Sequence, residues 1–229
     1  VDRIGELVAT VPLRRARGWS EWTRRHLDYG ARGVVATLLF EINSRLDVWM
    51  LGAVMSDARV GVYSMAASIA EGVLQLSVVL QVNVNPRIAA MIAGGQIADF
   101  EALVRRSRRW FVPALAGVCV AGAALFPLAI PMLTGNDAYH DGALPFAILM
   151  GGIALASPWL PFNQTLLMAS RPGWHTFYIS LAVGLNVALN ALLIPRLGLE
   201  GAAVATACSL VGSAMILRAL VRVRVGARI

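Results

Sequence analysis

Lysine is missing from the sequence: all twenty basic residues are arginine. That absence excludes a P-loop lysine, a Schiff-base lysine and a serine–lysine dyad. Charge of either sign is also scarce, at 14% of residues, against about a quarter in a soluble domain, too little to cover a soluble surface. The only two cysteines, Cys119 and Cys208, each sit alone in a long apolar run and read as small packing residues, not as a disulfide or metal site. HExxH, GxSxG, a Gly-rich phosphate loop and CxxC are all lacking. His26, His140 and His175 are scattered over loops and membrane edges, so neither a metal cluster nor another cofactor is expected. Asn163-Gln164-Thr165 has the glycosylation pattern but falls inside an apolar span. The expectation is therefore not an enzyme.

Apolar sequence is what the chain has in quantity. Hydrophobic residues make up 58% of it, with a mean hydropathy of +0.67. A pI near 10.6 would suit a nucleic-acid binder, but this apolar content opposes that reading and makes the arginines topology signals and lipid-headgroup contacts. A membrane-crossing helix needs roughly 20 mostly apolar residues. Six stretches qualify: 33–56, 60–86, 110–133, 143–168, 176–195 and 201–217. The expected fold is an all-α, polytopic six-helix transmembrane bundle over 31–222, preceded by a basic linker or interfacial segment (1–30) and followed by a basic tail (223–229). Ser56-Asp57-Ala58-Arg59 reads as a tight turn that makes the first two spans a hairpin, 94–109 as a polar loop, and 134–142 as a turn-rich loop. Arg171-Pro172-Gly173 and Arg196-Leu197-Gly198 punctuate the last two connections.

The arginines then set an orientation. Seventeen, including Arg87, the four between 105 and 109, Arg171 and Arg218, fall on one side of such a bundle; Arg59 and Arg196 fall on the other, and Arg45 lies within a span. By the positive-inside rule both termini and the 94–109 loop are expected in the cytoplasm. Val1 is not an initiator residue, which leaves open whether the chain is a fragment of something longer.

The first span carries Glu41, Arg45 and Asp47, and the second carries Glu71. On the insertion scale a central Asp or Arg costs about 2.5–3.5 kcal/mol, against about −0.3 to −0.6 for each Leu, Ile, Phe or Val. Three such charges roughly cancel the apolar gain of the span, so they must pair or face a wet cavity. Glu41 and Arg45 are spaced i,i+4, as are Asn43 and Asp47, and the two couples lie on nearly opposite helix faces. Counting from the turn, Arg45 and Glu71 fall at similar depth, which predicts a Glu41–Arg45–Glu71 cluster. Such a cluster either binds substrate or only fixes helix register. Asp47, in the outer third of its span, is expected to reach water locally and is the weaker candidate for a cation or proton.

Gln81-Val82-Asn83-Val84-Asn85-Pro86-Arg87 suggests a kinked, wet helix end lining a cavity, with Arg87 near phosphate level. Snorkelling to headgroups is the simpler reading of Arg87 taken alone. Pro113, Pro127, Pro131, Pro158 and Pro161 permit bending within the third and fourth spans. Gly201, Ala205, Ser209 and Ser213 form a small-residue stripe suited to close helix packing.

Three stretches carry a family resemblance: Asn190-Ala-Leu-Leu-Ile-Pro195-Arg-Leu-Gly198-Leu-Glu-Gly201-Ala-Ala-Val-Ala-Thr206; Arg45-Leu-Asp47 followed by Val60-Gly-Val-Tyr63-Ser-Met-Ala66; and Gly135 through Tyr139 to Ile148-Leu149. In order and spacing, over 31–222, the chain resembles the C-terminal half of an oligosaccharide/polysaccharide flippase of the multidrug/oligosaccharidyl-lipid/polysaccharide superfamily. The resemblance implies two six-helix lobes around a cationic cavity that moves undecaprenyl-diphosphate-linked oligosaccharide across the bacterial inner membrane for surface polysaccharide synthesis. Only one lobe is present here, so a missing N-terminal lobe or a dimer partner is implied. Arg45 and Arg87, with Asn83 and Asn85, are then the substrate-binding candidates. Glu41, Asp47 and Glu71 are the ion-coupling or charge-balancing ones. The expected partners are the lipid-linked oligosaccharide and membrane lipids, with no nucleic acid. A cation-coupled drug antiporter of the same superfamily, or a non-transporting half-lobe scaffold in a polysaccharide assembly complex, are the alternatives.

Overall fold

The computed structural model describes Thr23, residues 45–227 and Ile229. The chain divides into two compact units, Val1–Ile42 and Asn43–Ile229. The described residues fall in the second unit apart from Thr23. Glu41, Asn43 and the 1–30 linker (Thr23 excepted) therefore lie outside them.

The described residues are helical, with no strand among them. A helical segment over 45–52 leads into a turn, and α1 (Asp57–Ala93) begins behind Ser56, whose extended backbone sits at the cap position with Asp57 in the first turn. α2 (Ile97–Thr134) follows after only Gly94-Gly95-Gln96. A 3₁₀ turn (Asp137–Gly142) leads to α3 (Ala143–Ala156). A second 3₁₀ turn (Leu160–Phe162) and the short α4 (Thr165–Met168) come next, before α5 (Pro172–Arg224).

Three expectations are corrected. The polar stretch 94–109 is not a loop, because α2 starts at Ile97. Its Glu and Arg residues are good helix formers, and Glu101 pairs with Arg105 at 3.5 Å across one turn. Polarity moves this stretch out of the apolar run without unwinding it. Second, α1 continues past Pro86 to Ala93 instead of ending in a kinked, wet terminus. Third, 143–168 is a broken unit, with α3 and the segment after it bent by 58° around Ser157–Trp159. Pro158 and Pro161 each remove a backbone donor and disfavour helix at the residue before them, which accounts for the break. The turn-rich connection expected over 134–142 is there, as a 3₁₀ turn behind Gly135, whose positive φ of 63° caps α2 and returns its N–H to the Pro131 carbonyl.

The long α5 folds back on itself. Gly198 adopts φ 59° and ψ −126°, outside helical space and open to glycine alone at no steric cost. Gly201 lies against the Leu193 carbonyl, and Gly212 against the Leu185 side chain. In a straight helix residues 185 and 212 would stand about 40 Å apart, so the two arms of α5 run antiparallel. The Arg196-Leu197-Gly198 punctuation is thus a reversal, and residues 201–217 lie wholly in the second arm. Gly152 of α3 packs onto Ala207 with no room for a Cβ, which seats the second arm on α3. The small-residue stripe serves this packing: Gly201, Ala205 and Ser209 are all buried.

Among the described residues three helices (α1, α2 and α5) can cross a membrane by length and composition, and a fourth crossing is available if the bent α3–α4 unit counts as one. The outward surface is apolar: Leu128, Met132 and Leu133 are each more than 70% exposed. Water would penalise such a surface and a bilayer does not, so the chain reads as a membrane protein. Inside, two apolar cores form. One gathers Leu51, Tyr63, Ala66, Phe126, Phe146, Leu199 and Ala202 near the 53–56 turn. The other gathers Val84, Ile88, Phe100, Val104, Phe162, Leu217 and Val221 toward the arginine-rich end.

Candidate functional site

Residues 45 and 47 are two apart on a helix, about 200° around its axis, so they serve opposite faces. Asp47 is the one turned inward. It is buried in the first core, and its Oδ2 accepts a 2.6 Å hydrogen bond from the Tyr63 hydroxyl on α1. Its Oδ1 accepts from the Val48 backbone N–H at 2.9 Å. The Thr206 hydroxyl, from the second arm of α5, reaches Oδ2 at a longer 3.4 Å. The expectation that Asp47 meets water locally is therefore corrected, because Tyr63, itself fully buried, replaces solvent. No arginine pairs with this carboxylate among the described residues. A carboxyl group held by neutral donors can bind a proton or a small cation, since no described cation already neutralises it.

Arg45 points the other way. Its Nη2 pairs with Glu71 Oε2 at 3.2 Å, the meeting expected from equal depth on the hairpin. The pair is not sealed: the side chains are 47% and 36% exposed. An ion pair that open contributes little to stability, about 0–1 kcal/mol, yet it sits on helices whose outward neighbours are apolar. Glu41, the third member of the expected cluster, is outside the described residues.

The other candidates are not gathered here. Asn83 turns its amide back to the Val79 carbonyl of its own helix at 2.7 Å. Asn85, on a different face, donates to Gln164 Oε1 at 2.9 Å, tying α1 to the segment beyond the break. Arg87 is exposed. Sixteen residues separate it from Glu71 along α1, about 24 Å of rise, so a single diphosphate cannot touch Arg45 and Arg87 at once. An open groove of about 410 Å³ runs between α1 and α2, lined by Leu76, Val79, Leu80, Asn83, Trp110 and Phe111 among others. It holds none of the charged candidates and is almost wholly apolar.

Tyr63, Thr206 and Gln164 went unrecognised as partners from sequence. Tyr63 and Thr206 stand in the quoted motifs, and a hydroxyl in an apolar run was the available signal. Pairing each with Asp47 needed the fold.

One curated protein bears directly on this arrangement. Over 188 residues the chain is 24% identical to a probable low-salt glycan biosynthesis flippase, Agl15, of Haloferax volcanii. The chain is similar to a glycan flippase. The alignment covers 81% of this chain and 39% of Agl15, so the chain spans well under half the length of that relative. No family model matches it. No solved structure matches it either. Agl15 is archaeal, so the likeness supports a membrane-embedded, flippase-like protein without pointing to bacteria or to undecaprenyl carriers.

Proposed function

We propose that the chain is the C-terminal lobe of a flippase that moves lipid-linked oligosaccharide across a membrane, with undecaprenyl-diphosphate-linked glycan at the bacterial inner membrane as its substrate. The likeness to Agl15 over most of the chain is the observation that carries this reading. In it the lobe has six spans, the two arms of α5 being the last two, with both termini in the cytoplasm. It works with an N-terminal lobe or a second copy, performs no catalysis and needs no cofactor. Arg45, on the open face, meets the lipid diphosphate, and Glu71 balances it between substrates. Arg87, Asn83 and Asn85 belong to a separate, later or earlier, station near the arginine-rich end. Asp47, Tyr63 and Thr206 form the ion-coupling element: protonation of Asp47 rearranges its hydrogen bonds and so biases the helix that carries Arg45.

The Asp47 carboxylate, without a cationic partner among the described residues, also favours a second reading, a cation-coupled drug antiporter of the same superfamily. Expression of the full-length gene in a bacterium lacking its own oligosaccharide flippase separates the two. Restored surface glycan is expected. Drug resistance without glycan supports the antiporter, and neither effect supports a non-transporting scaffold.

A further inference from the structure

The arginine-rich end holds a cation with an unmet donor. Arg108 lies on α2, two residues before the apolar run that begins at Trp110. Its Nε donates to the Pro158 carbonyl at 2.7 Å, at the break after α3. Its guanidinium carbon stands 5.3 Å over the Trp159 ring. Those two contacts fix the plane of the group. Its Nη2 is sealed from water and has no hydrogen-bond partner. Leu217 and Val221 of the second α5 arm pack with Val104 of α2 in the second core, which brings the like charge of Arg218 within reach of Arg108. No carboxylate pairs with either arginine among the described residues.

Arg224, six residues past Arg218 and so about 9 Å further along the arm, repeats the pattern. It stacks on Trp174 at 3.6 Å and leaves its Nε buried and unpartnered. A half-buried guanidinium with an unpartnered donor, close to a like charge, is costly unless something anionic completes it. The complement must offer several oxygens to a planar fork and be available where tryptophans and arginines gather at the edge of apolar helices. A phosphate ester has that chemistry, and a membrane supplies it at that depth.

We propose that Arg108, oriented by Pro158 and Trp159, and Arg218 together hold the phosphate of an anionic membrane lipid. The site is distinct from the Arg45–Glu71 pair and stands whether or not the chain moves a glycan. Its occupant bridges α2 to the second arm of α5 and thereby closes the end of the second core.

The test is thermal unfolding of the full-length protein in detergent with added phosphatidylglycerol, phosphatidylcholine or inorganic phosphate, with bound lipid counted by native mass spectrometry. Phosphatidylglycerol at a hundredfold excess over its Kd is expected to raise Tm by roughly 5–10 °C. Arg108→Gln with Arg218→Gln is expected to abolish that rise and the bound lipid. Arg105→Gln with Arg222→Gln, which removes equal charge from exposed positions, is expected to keep both. Equal loss in the control pair would show diffuse attraction and overturn the site. An equal rise with phosphatidylcholine overturns it too, and an equal rise with inorganic phosphate overturns the lipid as its source. If the double variant fails to accumulate, Arg218→Gln alone carries the test, since this residue is exposed; an unchanged rise there refutes the proposal.

Discussion

The two ends of the second unit hold opposite kinds of unbalanced charge. Near the 53–56 turn, Asp47 is a buried carboxylate with no cation beside it among the described residues, but its oxygens are met by Tyr63, Thr206 and a backbone N–H. At the other end, Arg108 is a half-buried cation with no anion paired to it among the described residues, and one of its donors stays unmet. The first end is complete as built and can change only by taking up a proton or small cation. The second is incomplete as built and calls for a ligand. A hydroxyl donates or accepts as needed, so protein groups close an acidic site cheaply. A guanidinium only donates, and once carbonyl and ring contacts are used its remaining N–H needs an external acceptor.

Both ends depend on the α5 hairpin, which carries Thr206 in one and Arg218 in the other. The largest expected effect is therefore that of Gly201→Leu, which sets a side chain against the Leu193 carbonyl and drives the arms apart. A loss of 3 kcal/mol or more, at or beyond the roughly 1–3 kcal/mol of ordinary overpacking, is expected because backbone cannot yield as a side chain does. It should appear as failure to accumulate in the membrane. Normal accumulation with an unchanged Tm would mean the arms do not meet as described.

Tyr63→Phe comes next and separates the two ends. It removes the short bond to Asp47 and should cost about 1.5–3 kcal/mol if the carboxylate is charged. The phosphatidylglycerol-dependent rise in Tm should stay as it is, and a change in that rise would mean the ends are coupled. Asp47→Asn combined with Tyr63→Phe should cost less than the sum of the single changes, since both remove one contact. A double-mutant cycle by urea or thermal unfolding reads the difference.

Smaller still, Arg45→Ala should shift stability by less than about 1 kcal/mol, given the openness of its pair with Glu71. The smallest effect is expected at Arg105→Ala, since Arg105 is 69% exposed and its i,i+4 pair with Glu101 is worth about 0.3–0.5 kcal/mol. A Tm change at Arg105 larger than at Tyr63 would contradict the ranking of buried over surface contacts.

Much of this was legible in the sequence. Apolar runs gave the long helices, and equal distance from the 56–59 turn placed Arg45 beside Glu71, because helix rise is a fixed length. Gly198 marked a connection that proves to be a reversal. Less could be read where polarity and structure part company. The arginine-rich stretch before Trp110 is polar yet helical, since Arg and Glu favour helix as strongly as they avoid lipid. The inward turn of Asp47 depended on which of two opposite faces meets α1, and periodicity alone left both open. Arg108 looked like one topology signal among seventeen. Only the break at Pro158, which frees a carbonyl beside it, sets it apart.

The most direct measurement of the central claim is surface glycan in a flippase-null bacterium that carries the full-length gene with Arg45→Ala, at membrane levels matched to wild type. Glycan reduced to the empty-vector level, with the protein still folded in the membrane, is predicted for a lobe whose open charge pair handles the lipid diphosphate. Wild-type glycan from Arg45→Ala would contradict it and reduce the Arg45–Glu71 pair to a register mark between two helices.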